Sequence, residues 1–255
     1  GGQLKTTVNE SSKRISSGVA GLDDILGGGL LPGRSYLLEG DPGTGKTTFA
    51  FHFLLDGLRR GERGLYITLS ESKEELLENA AAHGFDFTGV DIFELPSDDQ
   101  FRKDSQNTFF HSSEIELGAT NAAILAEIAR VSPQRVVFDS VSEMKILSKD
   151  SARFRRQILS IKQHFTKDRA TVLLLDDLTA TLGGKELQSI VHGVIRLENL
   201  TPHYGTDRRR MRVTKLRGIA YRGGYHDYVI QRGGITVFPR LVANEHGDEN
   251  ARKVL

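Results

Sequence analysis

The sequence predicts an α/β domain: a mostly parallel, twisted sheet with helices on both faces and antiparallel strands added at its C-terminal side. The first observation is a regular alternation of short apolar runs with amphipathic segments over residues 35–176, which is typical of parallel strands joined by helices. The second is a change after Ile190, where strand-like runs follow one another at 194–197, 211–216 and 228–230. We expect these runs to be antiparallel additions to one edge of the sheet.

The remaining elements follow in chain order. Apolar runs bounded by turn residues predict strands at 35–39, 64–69, 91–95, 135–139 and 171–176. Apolar residues at helical spacing predict helices at about 47–60, 72–83, 114–131 and 153–167. Ser72 and Glu75 form a capping-box pattern at the start of the second helix. Residues 96–113 are too long for a plain connection and predict a functional loop. Its Phe109 and Phe110 dock a partner or, in the interpretation we prefer, fold back onto the core.

Composition excludes several classes of protein. The 255 residues fit one domain of ordinary core size. The formal net charge of +1 lacks the basic excess usual in polynucleotide binders, so nucleic acid is not an expected partner. Because the chain has no cysteine, disulfides, thiol catalysis and Cys-based zinc sites are excluded, and a cytoplasmic location is expected. No apolar run approaches the roughly 20 residues that cross a bilayer, so we expect no membrane partner.

One glycine-rich segment carries a nucleotide-binding signature. Residues 40–47 read GDPGTGKT, a full match to G-x-x-x-x-G-K-[ST] between a predicted strand and a predicted helix. The backbone N–H groups of such a loop wrap phosphates, and the helix N-terminus adds its positive end. We predict that Lys46 reaches the β- and γ-phosphates of ATP and that the Thr47 hydroxyl binds Mg²⁺. The predicted ATP-binding residues are Asp41, Pro42, Gly43, Thr44, Gly45, Lys46, Thr47 and Thr48.

Acidic residues at the ends of neighbouring strands complete the predicted site. The apolar strand 135–139 ends in Asp139, which we interpret as the second Mg²⁺ ligand because carboxyl ends of parallel strands meet at the ligand-binding edge. Asp176 and Asp177 end the next strand and are the competing assignment. Glu71 follows the strand after the P-loop helix, where RecA-like ATPases carry the Glu that orients the attacking water. It is also a plain helix-start acid favoured by the helix dipole.

Several segments resemble KaiC, the circadian-clock ATPase, and its relatives in the RecA superfamily. The opening at 16–30 (SSGVAGLDDILGGGL) resembles RecA, RadA and KaiC proteins. The segments at 68–72 (TLSES), 155–157 (RRQ) and especially 215–218 (KLRG) are similar to KaiC itself. The resemblance covers roughly residues 14–240. It predicts a KaiC-like ATPase domain there, with residues 1–13 a disordered tail or a cloning remnant. Residues 241–255 then form a polar tail or linker, and a further domain beyond Leu255 stays open.

The resemblance implies a homo-oligomeric ring, commonly a hexamer, with ATP held between subunits and conformational changes read by protein partners. It also implies that Lys215 and Arg217 reach the γ-phosphate of the neighbouring subunit's ATP as catalytic residues in trans. The residues alone say only that two cations alternate on a strand. At the catalytic position the sequence has Ser70-Glu71, a single carboxylate where the first clock domain has two.

Two alternative functions remain. A KaiC-like autokinase is weakened, because the segment at 187–190 offers only Ser189 as a phosphate acceptor. A DNA-dependent RecA- or RadA-type ATPase predicts basic loops after Asp139 and Asp176, whereas we expect a short, mixed-charge loop at 145–149 and a nearly neutral one at 179–185. The basic cluster at 208–212 lacks interleaved aromatic residues, so we interpret it as a solvated or subunit-facing edge.

Overall fold

A nine-stranded sheet forms the centre of the computed structural model, which describes residues 13–95, 112–148, 150–178 and 184–241. The strands are β1 (Ser35–Gly40), β2 (Gly64–Thr68), β3 (Asp91–Glu94), β4 (Arg135–Asp139), β5 (Thr171–Asp177), β6 (Gly193–Leu200), β7 (Arg208–Leu216), β8 (His226–Gln231) and β9 (Gly234–Phe238). Their order in the sheet is β3-β2-β4-β5-β1-β6-β7-β8-β9. β1, which leads into the glycine-rich loop, therefore lies at the middle of the sheet.

Helices cover both faces of this sheet, as the sequence predicts. The described helices are α1 (Leu22–Ile25), α2 (Lys46–Arg59), α3 (Lys73–Ala82), α4 (Ser112–Val131), α5 (Val141–Ser148), α6 (Ser151–Lys167) and α7 (Gly184–Ile190). Alternate residues of β1 face opposite sides, so Tyr36 and Leu38 pack with α1, α2 and α3. Leu37 packs in the second core, with α4, α5, α6 and α7. The capping box of α3 is present: the Ser72 hydroxyl accepts from the Glu75 N–H, and the Glu75 carboxylate accepts from the Ser72 N–H. No helix in these ranges is long and apolar enough to cross a membrane.

The C-terminal strands correct one prediction. β7 and β8 are antiparallel additions, as expected, and β9 is a further antiparallel strand. β6 is not, because it pairs with β1 in parallel, with Tyr36 opposite Gly193 and Gly40 opposite Leu197. The short helix α7 returns the chain across the sheet before β6, so β6 starts at the same end as β1. β9 is absent from our predictions.

The prediction of a loop at 145–149 is also wrong. Residues 141–148 form helix α5, and Lys145 is buried in it. The Lys145 ammonium pairs with Asp176 at 2.8 Å and lies over the Phe154 ring, which removes it from any loop that contacts a ligand. Other parts of the predictions lie outside the described residues. These are Lys149, residues 179–183 and most of the predicted loop at 96–113, with Phe109 and Phe110.

A fully buried arginine holds the amino-terminal end of β4 against α2. The Arg135 guanidinium pairs with Asp56 at 3.1 Å and with Glu62 at 2.6 Å, and it also donates to the carbonyls of Ser16 and Phe53. The chain makes room for it at Gly57, where a Cβ would lie 2.6 Å from the Arg135 side chain. Because all its charge is matched by short contacts, the arginine stabilises a junction of three segments.

We expect Arg135→Met to lower the free energy of unfolding by about 3–5 kcal/mol, because it removes the buried partner of the Glu62 and Asp56 carboxylates and leaves Asp56 with only the exposed Arg59 and Arg60. Arg59→Met is the matched control. Arg59 pairs with the same carboxylate at 3.6 Å but is 66% exposed, so its loss should cost less than about 1 kcal/mol. Urea unfolding monitored by circular dichroism measures both. Equal costs for the two variants would contradict this account.

A neutral histidine joins α2 to the β8–β9 hairpin. His52 Nε2 accepts the N–H of Ile235 at 2.8 Å, and its ring meets Phe85 edge-on. Gly234 allows this approach, because a Cβ there would lie 2.0 Å from His52 Nε2. Burial, with a smaller contribution from the charge of Arg59, lowers the pKa of His52 to about 4. The ring therefore stays neutral in the folded protein at pH 5–7 and can accept this bond.

Acid should weaken the fold through His52. The unfolded chain protonates this residue below its ordinary pKa of about 6.5, whereas the folded chain does not until about pH 4. Stability is therefore complete above pH 6.5 and falls between pH 6.5 and 4, by about 1–2 kcal/mol for a partly solvated ring. His52→Gln keeps an acceptor without a titrating proton and should flatten this part of the profile. His164→Gln, at an exposed position of α6, should not. Urea unfolding at pH 7 and pH 5 tests the difference.

Candidate functional site

The glycine-rich loop joins the carboxyl end of β1 to the first turn of α2. Gly45 caps α2 in a left-handed conformation, φ 94°, and no side chain caps the helix. The first-turn N–H groups therefore have no acceptor within the helix and form a site for anions. The Lys46 ammonium donates to the carbonyls of Gly40 at 2.7 Å and Asp41 at 3.1 Å and pairs with Asp177 at 2.7 Å. This cluster is the arrangement expected of a P-loop.

The loop is braced from two sides. The Tyr228 hydroxyl on β8 donates to the Thr44 carbonyl at 2.6 Å, and the Thr44 hydroxyl donates to the Asp41 carbonyl at 2.8 Å. Thr44 is fully buried, and its hydroxyl, N–H and carbonyl are all hydrogen-bonded within the protein, so it supports the loop from inside. On the other side the buried Glu39 pairs with Arg196 at 2.7 Å. Both ends of the loop are thus fixed by buried polar contacts.

Tyr66 brings the two predicted magnesium ligands together. Its hydroxyl donates to Asp139 Oδ2 at 2.5 Å, and it also interacts with the hydroxyl of Thr47. Burial raises the pKa of Asp139 to about 6; the Tyr66 hydrogen bond opposes the rise, and the nearby carboxylates of Glu71 and Asp177 add to it. A divalent cation would relieve this clustering of negative charge. A hydroxyl and a carboxylate are oxygen ligands of the kind that Mg²⁺ takes beside phosphates.

Glu71 faces the same group of acids. The Leu69 N–H donates to the Asp139 carbonyl at 2.7 Å, and the Thr68 hydroxyl donates to the Glu71 carbonyl at 2.8 Å. These bonds hold the segment after β2 against the end of β4. Burial, followed by the charge of Glu75, raises the pKa of Glu71. Its Oε2 atom is buried without a hydrogen-bond partner among the described residues, which leaves it available to a water or ligand.

The two aspartates that end β5 point to different places. Asp176 is buried, accepts from the Ser142 hydroxyl at 2.8 Å and pairs with Lys145. Asp177 lines the cleft beside Lys46. Asp176 is therefore satisfied inside the fold, and Asp177 is the carboxylate of this strand that a nucleotide or metal can meet together with Asp139. The sequence alone does not separate the two. Adjacent strand residues point to opposite faces, but which of them faces the cleft is known only from the structure.

These residues surround an open cleft of about 570 Å³. Its lining includes Asp177, the competing assignment, and residues that our sequence analysis does not assign to the site: Ser70, Asn79, His83, Arg209 and Ile230. Arg209 belongs to the cluster that we predicted to be a solvated or subunit-facing edge, but its side chain lies in a different environment from those of Arg208 and Arg210. Arg208 pairs with Asp227, and Arg210 pairs with Glu198 and stacks on Tyr225. Alternation along β7 turns Arg209 to the cleft, where its Nε atom is buried without a partner among the described residues.

Lys215 and Arg217 lie away from this cleft. Lys215 on β7 pairs with Val194, near the amino-terminal end of β6, and the Arg217 N–H donates to the His192 carbonyl at 3.1 Å. The P-loop begins opposite Leu197, three residues further along β6, or about 10 Å away at 3.3 Å per residue. The two cations therefore occupy the other end of the sheet from the chain's own P-loop.

The fold and the cleft have counterparts among known proteins. The family model described as "ATPase: KaiC" matches residues 15–242. The chain belongs to the KaiC ATPase family. A UPF0273 protein of Aeropyrum pernix is 30% identical over 241 residues, which are 90% of this chain and 95% of that protein. Family membership supports ATP binding by this domain.

Two further relatives define the scope of the resemblance. The circadian clock oscillator protein KaiC of a Picosynechococcus species is 28% identical over 240 residues, and the match spans 92% of this chain and 45% of that protein. A KaiC-like protein of Pyrococcus horikoshii has a crystal structure that superposes with a TM-score of 0.73 at 24% identity, covering 89% of this chain and all of the other. The first similarity is to about half of a clock protein, and the second shows the fold.

Asp177 should compete with phosphate for Lys46. We expect Asp177→Asn to tighten the binding of ATP measured in EDTA about fivefold, because loss of a partly exposed ion pair is worth about 1 kcal/mol. Asp168→Asn, at an exposed position after α6, removes the same charge far from the P-loop and should leave affinity unchanged. Titration calorimetry measures both. Weaker metal-free binding by Asp177→Asn than by the control would show that this carboxylate does not oppose the phosphates.

Proposed function

We propose that this protein binds and hydrolyses ATP with Mg²⁺ in a homo-oligomeric ring of KaiC type, commonly a hexamer, with each ATP held between two subunits. The observation that carries the proposal is the separation of Lys215 and Arg217 from the chain's own P-loop. Cations at that end of the sheet serve a phosphate only if it belongs to another subunit. Hydrolysis then changes the contacts between subunits, and protein partners bind according to that conformational change.

Within one subunit the proposed roles follow the cleft. Lys46 and the first-turn amides of α2 hold the β- and γ-phosphates. Thr47 and Asp139 hold Mg²⁺, which neutralises phosphate charge when it is bound. Glu71 orients the attacking water, and the unpaired Oε2 atom and raised pKa of its carboxylate support that role. The lining residue Arg209 adds a cation to the nucleotide side of the cleft.

The alternatives have less support. In a DNA-dependent ATPase, Lys145 would be a loop cation, but it is paired and buried in α5. In an autokinase, Ser189 would be the acceptor, and its hydroxyl donates to the Glu186 carbonyl at 2.6 Å. A role in timekeeping rests on the similarity to one half of the clock protein. We therefore favour an ATP-driven conformational cycle without assigning its output.

A subunit-mixing assay tests the shared site. Lys46→Ala removes the P-loop lysine, and Arg217→Met removes the proposed trans cation. Each variant alone should lose phosphate release, the second by on the order of 10³-fold if Arg217 acts as an arginine finger. Mixed in equal amounts and allowed to exchange, they should regain activity, since about a quarter of random interfaces join an intact P-loop to an intact Arg217.

The specific activity of the unaltered protein should also rise with concentration until rings are complete. Arg153→Met, on the same chain but not among the proposed site residues, controls for the loss of one arginine. Mixtures that stay inactive, although light scattering shows them to be assembled, would refute contact in trans. Stimulation of about tenfold or more by DNA would favour the RecA-type alternative.

A further inference from the structure

Tyr66 on β2 contacts both of the proposed magnesium ligands. Its side chain is fully buried in the core that packs against α2, and its ring tilts against the ring of Phe51 with the centroids 6.3 Å apart. The Tyr66 hydroxyl donates to Asp139 Oδ2 at 2.5 Å and interacts with the Thr47 hydroxyl. Because the core packs around the ring, the hydroxyl is held between these two side chains.

The chemistry of the three groups fixes the direction of their hydrogen bonds. An ionised carboxylate only accepts, so Tyr66 gives its single hydroxyl hydrogen to Asp139. The phenol oxygen then has only acceptor capacity left, and the Thr47 hydroxyl must donate to it. The hydrogens therefore run in one direction, from Thr47 through Tyr66 to Asp139, and each bond strengthens the next.

This direction leaves one free acceptor oxygen at each end of the chain of bonds. Thr47 turns its hydrogen toward Tyr66, so the lone pairs of its oxygen are left for a ligand. Asp139 Oδ1 accepts no hydrogen bond from the described part of the chain. Both Thr47 and Asp139 line the cleft. Two acceptor oxygens on a cleft with further carboxylates nearby suit a cation.

A purely structural role is the simplest explanation of the bond between Tyr66 and Asp139, since a buried carboxylate needs donors. Asp176, the buried acid of the neighbouring strand β5, shows what such a role looks like, because each of its two oxygens accepts a hydrogen bond within the fold. Tyr66 satisfies one oxygen of Asp139 and leaves the other open. Its contact with Thr47 adds nothing to the pairing of Asp139. Structural pairing therefore explains only part of the arrangement.

We propose that Tyr66 is a positioning residue that makes the nucleotide site select Mg²⁺ over Ca²⁺. Mg²⁺ demands near-ideal octahedral geometry and takes few protein ligands, whereas Ca²⁺ takes up to about eight oxygens and often both oxygens of one carboxylate. Tyr66 fixes the orientation of the Asp139 carboxylate and occupies Oδ2, so this side chain offers a single oxygen. A rigid site with few ligands favours the smaller ion. The inference rests on the proposed function, in which Thr47 and Asp139 hold the metal.

The test measures ADP binding by titration calorimetry in Mg²⁺, in Ca²⁺ and in EDTA. The effect of each metal is the ratio of the dissociation constants in EDTA and in that metal. In the unaltered protein the effect of Mg²⁺ should exceed that of Ca²⁺. Tyr66→Phe should reduce the Mg²⁺ effect about tenfold or more, the loss expected when a residue that orients a metal ligand is removed. The Ca²⁺ effect should change less, because Ca²⁺ can use both oxygens of the freed carboxylate.

Tyr36→Phe is the matched control. Tyr36 is buried in the same core, and its hydroxyl bonds to the main chain of Leu31, so this variant also loses one buried tyrosine hydroxyl. It should keep the preference for Mg²⁺. Both substitutions keep the ring, and an unchanged affinity for ADP in EDTA shows that the P-loop of each variant is intact.

Equal effects of Mg²⁺ and Ca²⁺ in the unaltered protein would overturn the inference without any variant. So would a Tyr66→Phe protein that keeps the full preference for Mg²⁺, or a Tyr36→Phe protein that loses it to the same extent. In each of these cases Mg²⁺ still tightens ADP binding, and the proposed function stands. If neither metal tightens ADP binding by the unaltered protein, the proposed function fails together with the inference.

Discussion

The nucleotide cleft depends on one constraint, the burial of β1 between two parallel neighbours. All six residues of β1 are buried, and β5 and β6 pair with it in register on either side. One of these residues, Glu39, is charged and only 1% exposed, so it must be paired. It accepts from Arg196 on β6 and from the Gln188 amide on α7. Because Glu39 directly precedes the P-loop, this pairing fixes the position at which the loop begins.

The need to pair a buried charge also distinguishes the acidic residues at the carboxyl ends of the parallel strands. Four carboxylates end up near one another there: Glu71, Asp139, Asp176 and Asp177. Asp176 is neutralised within the fold by Lys145 and the Ser142 hydroxyl. The others keep their charge toward the cleft, where Lys46 is the nearest cation. A phosphate that draws Lys46 away from Asp177 leaves negative charge unmatched, and a divalent cation restores the balance. Binding of nucleotide and of metal are therefore linked by charge.

Local signals in the sequence predict the centre of this arrangement. The P-loop can be predicted from a short segment because an apolar strand, a glycine turn and a helix start are adjacent in the chain. Asp139 can be predicted because it directly ends an apolar strand. The parallel direction of β6 depends on where α7 crosses the sheet, and the partner of Asp176 lies 31 residues away on α5. Arg209 and its neighbours look alike in sequence, and only the pairing of β7 decides which one faces the cleft. The features that the sequence analysis did not predict therefore depend on contacts between residues far apart in the chain.

The nucleotide cleft and the cations at the opposite end of the sheet are connected through one residue, Gln188. Lys215 donates to the main-chain carbonyl of Gln188, and the Gln188 side chain donates to Glu39, next to the P-loop. Any shift of α7 large enough to break the first bond changes the partners of a buried carboxylate, which is costly unless the second bond adjusts with it. Gln188 is also one turn or less from the carbonyls that hold Arg217 and Lys162. The end of α7 therefore cannot move in response to one region without disturbing the contacts of the other.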